Sequence, residues 1–215
     1  MSTDSPSGAG KITTVPLVAD DADSGQKMRA DARRSRARLL EAATAAFAVN
    51  GADAPLDDIA RRAGVGIGTL YRHFPTRQAL LEAVYRDQVE AMRARADELI
   101  ASKPPAEALA IWLRELLDFG RTKRMLTSSL LTTLSRDSEL ISSCSSMMRG
   151  AAAEVLTNAQ QAGAVRGDAN PADLMRLVHA ISMTVEWAAD DHEQADRLLA
   201  LVLDGLRSEP AGRPA

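Results

Sequence analysis

Apolar positions recur along most of the chain every three or four residues, the spacing of one helical face, and nowhere alternate as a strand would. The period begins near Ala32 and is carried by Leu39, Ala43, Ala46 and Phe47; Asn50-Gly51, both tolerant of positive φ, ends that helix. Pro55 suits a first helical turn, and a short helix is predicted over 56–63. Gly64-Val65-Gly66 breaks it, and a second short helix over 67–74 stops at Pro75. Thr76 is an N-cap for a long helix reaching about Ile100, which Lys103-Pro104-Pro105 terminates. Five further helices are predicted over 105–120, 121–134, 137–163, 171–189 and 192–207. Gly163 and Gly167 bracket one turn, Asn170-Pro171 opens the next helix, and Asp190-Asp191 separates the last two. The expectation is an all-α fold of about nine helices. Residues 1–26 are rich in Ser, Asp, Gly, Thr and Pro, show no period and are expected to form a disordered tail. Residues 209–215 are expected to fray.

The last two helices have more apolar residues than one core face needs. Leu174, Leu177, Val178, Ile181, Met183 and Val185 occupy more than one stripe of the first, and Leu198, Leu199, Leu201, Val202 and Leu206 do so on the second. One stripe serves the chain's own core. The other fits the same pair from a second copy, giving an isologous four-helix bundle and a homodimer.

Composition agrees with helix: Ala, Leu, Arg and Glu are plentiful and aromatics make up 3%. The single cysteine, Cys144, excludes an intrachain disulfide and a multi-cysteine zinc site. No apolar run approaches the roughly 18 residues of a membrane span, and the basic-then-apolar layout of a signal peptide is missing, so a cytoplasmic location is expected.

Charge changes the picture more. The formal net charge is −3, which by itself argues against nucleic acid. Residues 27–77, however, hold ten basic residues against five acids, whereas the segments before and after are acidic. A basic head over 27–77 on an acidic body over 78–208 is the footprint of a DNA-binding domain followed by a second domain.

Within the head, two short helices joined by a tight glycine-containing turn form a helix-turn-helix. Ile59, Ala60 and Ala63 give the first a small apolar face, with Ala60 where the helices cross. Val65, Leu70 and Phe74 give the second its inward face. The outward face then carries Ile67, Gly68, Thr69, Tyr71, Arg72 and His73, hydrogen-bonders and a cation on a rod narrow enough for a major groove.

Asp58-Ile59-Ala60, Ala63-Gly64-Val65, Gly68-Thr69-Leu70-Tyr71, His73-Phe74 and Arg77, in that order and in register with the predicted helices, strongly resemble the TetR family over residues 32–80. The resemblance implies that the second helix lies in the major groove, with Ile67, Gly68 and Thr69 facing bases or nearby backbone. Tyr71, His73 and Arg77 match phosphate-contacting positions. The first helix departs from the family pattern: it opens on Ala54-Pro55 in place of Thr or Ser, leaving capping to Asp53, and Asp57 stands where a basic or polar residue often approaches DNA. Arg33, Arg34 and Arg36 at the start of the preceding helix compensate, with Arg33 and Arg36 as candidate phosphate contacts. Farther on, Trp112-Leu113-Arg114, Asp137-Ser138-Glu139-Leu140, the run 162–168 and Ala172-Asp173-Leu174 resemble the SbtR-like C-terminal domain of TetR-type regulators.

Other chemistry is sparse. His73, His179 and His192 are far apart with no cysteine cluster, so no metal site and no cofactor are expected, and Asp190 to Glu193 reads as a charged inter-helix loop. Cys144, in a serine-rich helix start, reads as a small packing residue. Trp112, Phe119, Met125, Met147, Met148, Met183 and Trp187 supply bulky adaptable surface. Most of these are core; Trp112, Phe119, Met147, Met183 and Trp187 are the candidates for lining an effector pocket. The sequence therefore points to a non-enzymatic, ligand-responsive repressor that binds a double-stranded palindromic operator as a homodimer. Two rivals remain. One is an enzyme using Glu186 with Asp190, which lacks a nucleophile, phosphate loop or metal set. The other is a DNA-binding regulator that senses no small molecule, which a fully packed C-terminal core would favour.

Overall fold

The structure is a computed structural model and describes residues 20–133, 139–184 and 191–207. The elements are α1 (Asp20–Asn50), a 3-10 turn (Gly51–Asp53), α2 (Leu56–Arg62), α3 (Ile67–His73), α4 (Arg77–Ser102), α5 (Pro105–Thr133), α6 (Glu139–Gln161), α7 (Pro171–Thr184) and α8 (Asp191–Leu206). The all-α expectation holds: among the described residues there are eight α-helices and no strand, only an isolated bridge between Val165 and Arg207.

Most boundaries follow the local chemistry. Thr76 caps α4, its hydroxyl accepting from the Ala79 N–H at 3.0 Å. Lys103-Pro104-Pro105 separates α4 from α5. Gly163, at φ +66°, closes α6, and the Asn170 side chain accepts from the Ala172 N–H at 2.8 Å to open α7.

Two boundaries differ. Helix α1 begins at Asp20, so residues 20–26, expected in the tail, are helical and extend it N-terminally. Where the side chains are described at this end, residues 26–29, they are exposed, so no apolar period marks them. The break expected between residues 120 and 121 is absent, and one helix covers 105–133, which reduces the predicted count from nine to eight. Gly120 serves packing there. A Cβ on it would stand 3.0 Å from Ser182 Oγ and 3.1 Å from Ser182 Cβ, so the missing side chain is where α7 crosses α5. Predicted helix residues 134, 137–138 and 185–189, and the two tails at 1–19 and 208–215, lie outside the described residues.

The buried apolar residues form one continuous cluster running from Leu39 to Leu206. Helix α4 is its axis, burying Leu80, Leu81, Val84, Tyr85, Val89, Met92, Ala96 and Leu99 while it packs on α1, α5 and α6. Trp112 of α5 is fully buried against it, its indole N–H donating to the Met92 carbonyl at 3.1 Å. Trp112→Ala should therefore cost about 3–5 kcal/mol of stability. Urea unfolding should show it as a lower midpoint at unchanged slope; a loss under about 1 kcal/mol would place Trp112 outside the core.

Candidate functional site

The α2–α3 pair is assembled from its buried side. Ile59, Ala60 and Ala63 of the first element meet Leu70 and Phe74 of the second, all buried. Between them Gly64 adopts φ +65°, and the Val65 N–H donates to the Ala60 carbonyl at 3.0 Å. This left-handed residue turns the chain sharply enough to bring α3 back across α2. A Cβ at Gly64 would lie 3.6 Å from Arg38 Nη1, so α1 also covers the turn.

With Leu70 and Phe74 facing inward, the other side of α3 faces solvent. Gly68, Tyr71 and Arg72 are exposed, Tyr71 to 48%. Ile67, Thr69 and His73 are half-buried, and Ile67 packs against the core. Arg72 Nε donates to the Gly68 carbonyl at 3.2 Å, which lays the side chain back along the helix.

The flanking cations divide into two kinds. Arg33 is exposed. Arg34 pairs with Asp31 at 2.6 Å, and this hydrogen bond holds the Asp31 carboxyl below the usual carboxylate range. Arg36 stands over the Phe74 ring, its guanidinium carbon 5.6 Å from the centroid, and so ties α1 to the end of α3.

Arg77, expected at DNA backbone, is partly buried and turned toward the protein. Its Nη1 donates to the carbonyls of Ala52 at 2.8 Å and Ala54 at 2.6 Å. It thereby fastens the first turn of α4 to the loop before α2. That loop needs fastening, because α2 starts after Pro55 with no side-chain cap; Asp53, expected to cap it, lies in the 3-10 turn. Asp57 and Asp58 in the first turn and Arg61 and Arg62 in the last oppose the helix dipole, which gives Asp57 a stabilising role of its own.

A second feature lies among α4, α5, α6 and α7. One cavity of about 260 Å³ is lined by Tyr85, Phe119, Cys144, Ser145, Met148, Arg149, Ala172, Met175 and Arg176. A neighbour of about 180 Å³ is lined by Leu116, Phe119, Gly120, Met148, Met175, Val178, His179 and Ser182. Phe119, Met148 and Met175 belong to both, so these side chains form the partition. The Tyr85 and Phe119 rings stack across the first cavity with centroids 6.4 Å apart. Burial, and secondarily the Cys144 sulfur, push the Tyr85 phenol up to about 12, leaving it a neutral hydroxyl.

Of the residues expected to line a pocket, Phe119 does. Trp112 is core and lines neither cavity. Met147 packs half-buried on the core, and its neighbour Met148 takes the cavity, because adjacent helical residues point about 100° apart. Met183 is on the surface, 53% exposed, and Trp187 lies outside the described residues, as do Glu186 and Asp190. Tyr85, Met175, Arg149 and Arg176 were not singled out from sequence; no motif marks them, since only the crossing of four helices brings them together. Among the described residues no three His, Cys, Asp or Glu side chains cluster as a metal site would require, and no helix is long and apolar enough to cross a membrane.

Comparison with known proteins gives the framework. Residues 39–84 match the family model "Bacterial regulatory proteins, tetR family", and residues 104–208 match "Transcriptional regulator SbtR-like, C-terminal domain". A TetR transcriptional regulator of Streptomyces coelicolor is 38% identical, the alignment covering 81% of this chain and 99% of that one with a TM-score of 0.75. The chain belongs to the TetR family of transcriptional regulators. A second TetR structure, from Mycobacterium vanbaalenii, is 36% identical over 84% of this chain and 99% of that one, with a TM-score of 0.71. Among curated proteins, TtgW of Pseudomonas putida is 43% identical over 60 residues, 27% of this chain and 45% of that protein. SrpR of the same species matches over 28% of its length, so the chain spans less than half of these relatives. UidR of Escherichia coli aligns over 86% of this chain and 95% of its own length at 25% identity. The curated relatives are HTH-type transcriptional regulators and the two structures are TetR regulators, none of them an enzyme, and α2–α3 is the family's DNA-binding helix-turn-helix.

The geometry of Arg77 makes a prediction that separates fastening from phosphate contact. Arg77→Ala should lower stability by about 1.5–3 kcal/mol, the range for hydrogen bonds from charged donors. It should leave the salt dependence of DNA binding unchanged, whereas loss of a phosphate contact would reduce the log–log slope by about one. Denaturation and a salt titration of DNA affinity on the same variant read both.

Proposed function

We propose that this TetR-family regulator is a ligand-responsive repressor that binds a palindromic operator as a homodimer. The observation that carries the reading is the division of α3 into a buried side and an exposed polar side on one rigid, seven-residue helix. Gly68, Tyr71 and Arg72 stand clear of the body, with Ile67, Thr69 and His73 beside them. In this reading these residues meet the major groove, base edges supplying sequence and phosphates supplying register. Arg33 adds a phosphate contact from α1, and Arg36 holds α1 against α3 through Phe74. Arg77 positions the loop before α2.

The dimer is supported by apolar side chains left outside on the last two helices: Leu177 is 50%, Met183 53% and Leu201 69% exposed. Pairing these faces would set two heads on one side of the dimer, about 34–36 Å apart, the spacing of successive major grooves.

Sensing is supported by the adjoining cavities, which favour it over a regulator with a fully packed C-terminal core. Their wall includes Tyr85, eight residues beyond Arg77 on the same helix, or about 12 Å along it at 1.5 Å per residue. An effector that binds one α4 position more tightly than another shifts the head spacing by that differential affinity.

Fluorescence-polarisation binding to the DNA upstream of its own gene tests the DNA contacts, with a random-sequence pool as second substrate. Wild type should bind and weaken steeply with salt, and Tyr71→Ala should weaken binding about ten-fold or more. No binding to either DNA sinks the reading. For the dimer, Leu177→Glu with Leu201→Glu should sediment as a monomer where wild type sediments as a dimer; a wild-type monomer contradicts the assembly.

A further inference from the structure

The two cavities have apolar floors and an unequal distribution of charge at their edges. Each by itself is smaller than the roughly 300 Å³ at which small-molecule sites begin, and together they exceed it. The partition between them is Phe119, Met148 and Met175, two of them thioethers that change rotamer at little cost. One elongated ligand can thread both lobes by displacing these side chains.

The larger lobe is bordered by Arg149 of α6 and Arg176 of α7, and among the described residues no carboxylate lines either lobe. Arg149 makes no ion pair among the described residues. Among the described residues Arg176 is paired with Asp173 alone, 2.8 Å away and one turn earlier on α7, with both side chains largely exposed. Such a pair contributes little and yields readily to a better acceptor. Two guanidinium groups from different helices thus border an apolar chamber, an arrangement that favours an anionic head with an apolar body. Guanidinium forks bind carboxylate-like anions with two parallel charge-assisted hydrogen bonds, which a neutral hydroxyl head matches only in part and a cationic head repels.

We propose that the effector is an amphipathic organic anion, its head held by Arg149 and Arg176 and its body passing Tyr85 and Phe119 toward Val178. The inference rests on the ligand-sensing reading above and adds the ligand's charge to it. It also assigns a consequence to occupancy: a body seated against Tyr85 presses on α4, the helix that Arg77 fastens to the loop before α2.

The test uses the full chain and three probes of one tail length: decanoate, decanol and decylammonium, each below its micellar concentration, with affinity read by calorimetry. Decanoate should bind about ten-fold or more tightly than either of the others. Arg149→Ala should remove that preference while leaving decanol affinity unchanged, and Arg149→Lys should restore part of it. Met148→Trp, which fills the partition, should abolish binding of all three. Equal affinities, a preference for decylammonium, or a preference for decanoate that survives Arg149→Ala would overturn the anionic assignment. If in those cases Met148→Trp still blocks binding, the cavity stands as a sensing site and only its charge preference is wrong. No binding of any probe to the wild type overturns the anionic assignment and counts against ligand sensing as well.

Discussion

Helix α4 packs on α1, α5 and α6 at once, and this shared packing joins the two functional ends of the molecule. Leu80, Leu81 and Val84 are buried near its start, where it meets the DNA-binding head; Val89, Met92, Ala96 and Leu99 are buried farther along, in the C-terminal body. Each of these Leu, Val and Met side chains contributes about 1.5–3 kcal/mol when removed from water, Ala96 less. The helix therefore cannot separate from either part without large loss, and among the described residues the buried cluster is continuous from one part to the other.

That continuity explains why a cavity wall and a loop carbonyl belong to one device. Thr76 caps the helix, Arg77 bonds the carbonyls of Ala52 and Ala54, and Tyr85 closes the larger cavity, all within the first turns of α4. Close-packed interiors deform by discrete shifts of whole elements. In the proposed sensor, a body inserted beside Tyr85 would act on α4 as a unit, and α4 on α2 and α3 through Arg77 and the buried Leu80.

The helical class, the helix-turn-helix and the cap at Thr76 were legible in the sequence because each rests on local chemistry: periodicity, a glycine that must turn left-handed, a hydroxyl before a helix. Leu70 and Phe74 place Gly68, Tyr71 and Arg72 on the exposed side of α3, whereas the half-burial of Ile67, Thr69 and His73 depends on neighbouring elements. What sequence did not carry was anything decided by a crossing of helices. Gly120 resembles a boundary until Ser182 is seen against it. The carbonyl partners of Arg77 come into view only with the fold, and Met147 and Met148 are indistinguishable until one faces a cavity. Arg149 and Arg176 are ordinary surface cations in sequence; only the meeting of α6 and α7 brings them to one opening.

Transmission through α4 is tested most directly by the distance between the two heads of the dimer. Cys144, the single cysteine, is fully buried, so a spin label can be placed at Arg62→Cys on the exposed surface of α2. Electron–electron distance measurement then compares this protein with the same protein carrying Met148→Trp, whose indole occupies the cavity. Coupling through α4 predicts that filling the cavity moves the distance distribution by roughly 2 Å or more, the scale of a helix shift. Superimposable distributions, with the cavity filled and the dimer intact, would contradict it.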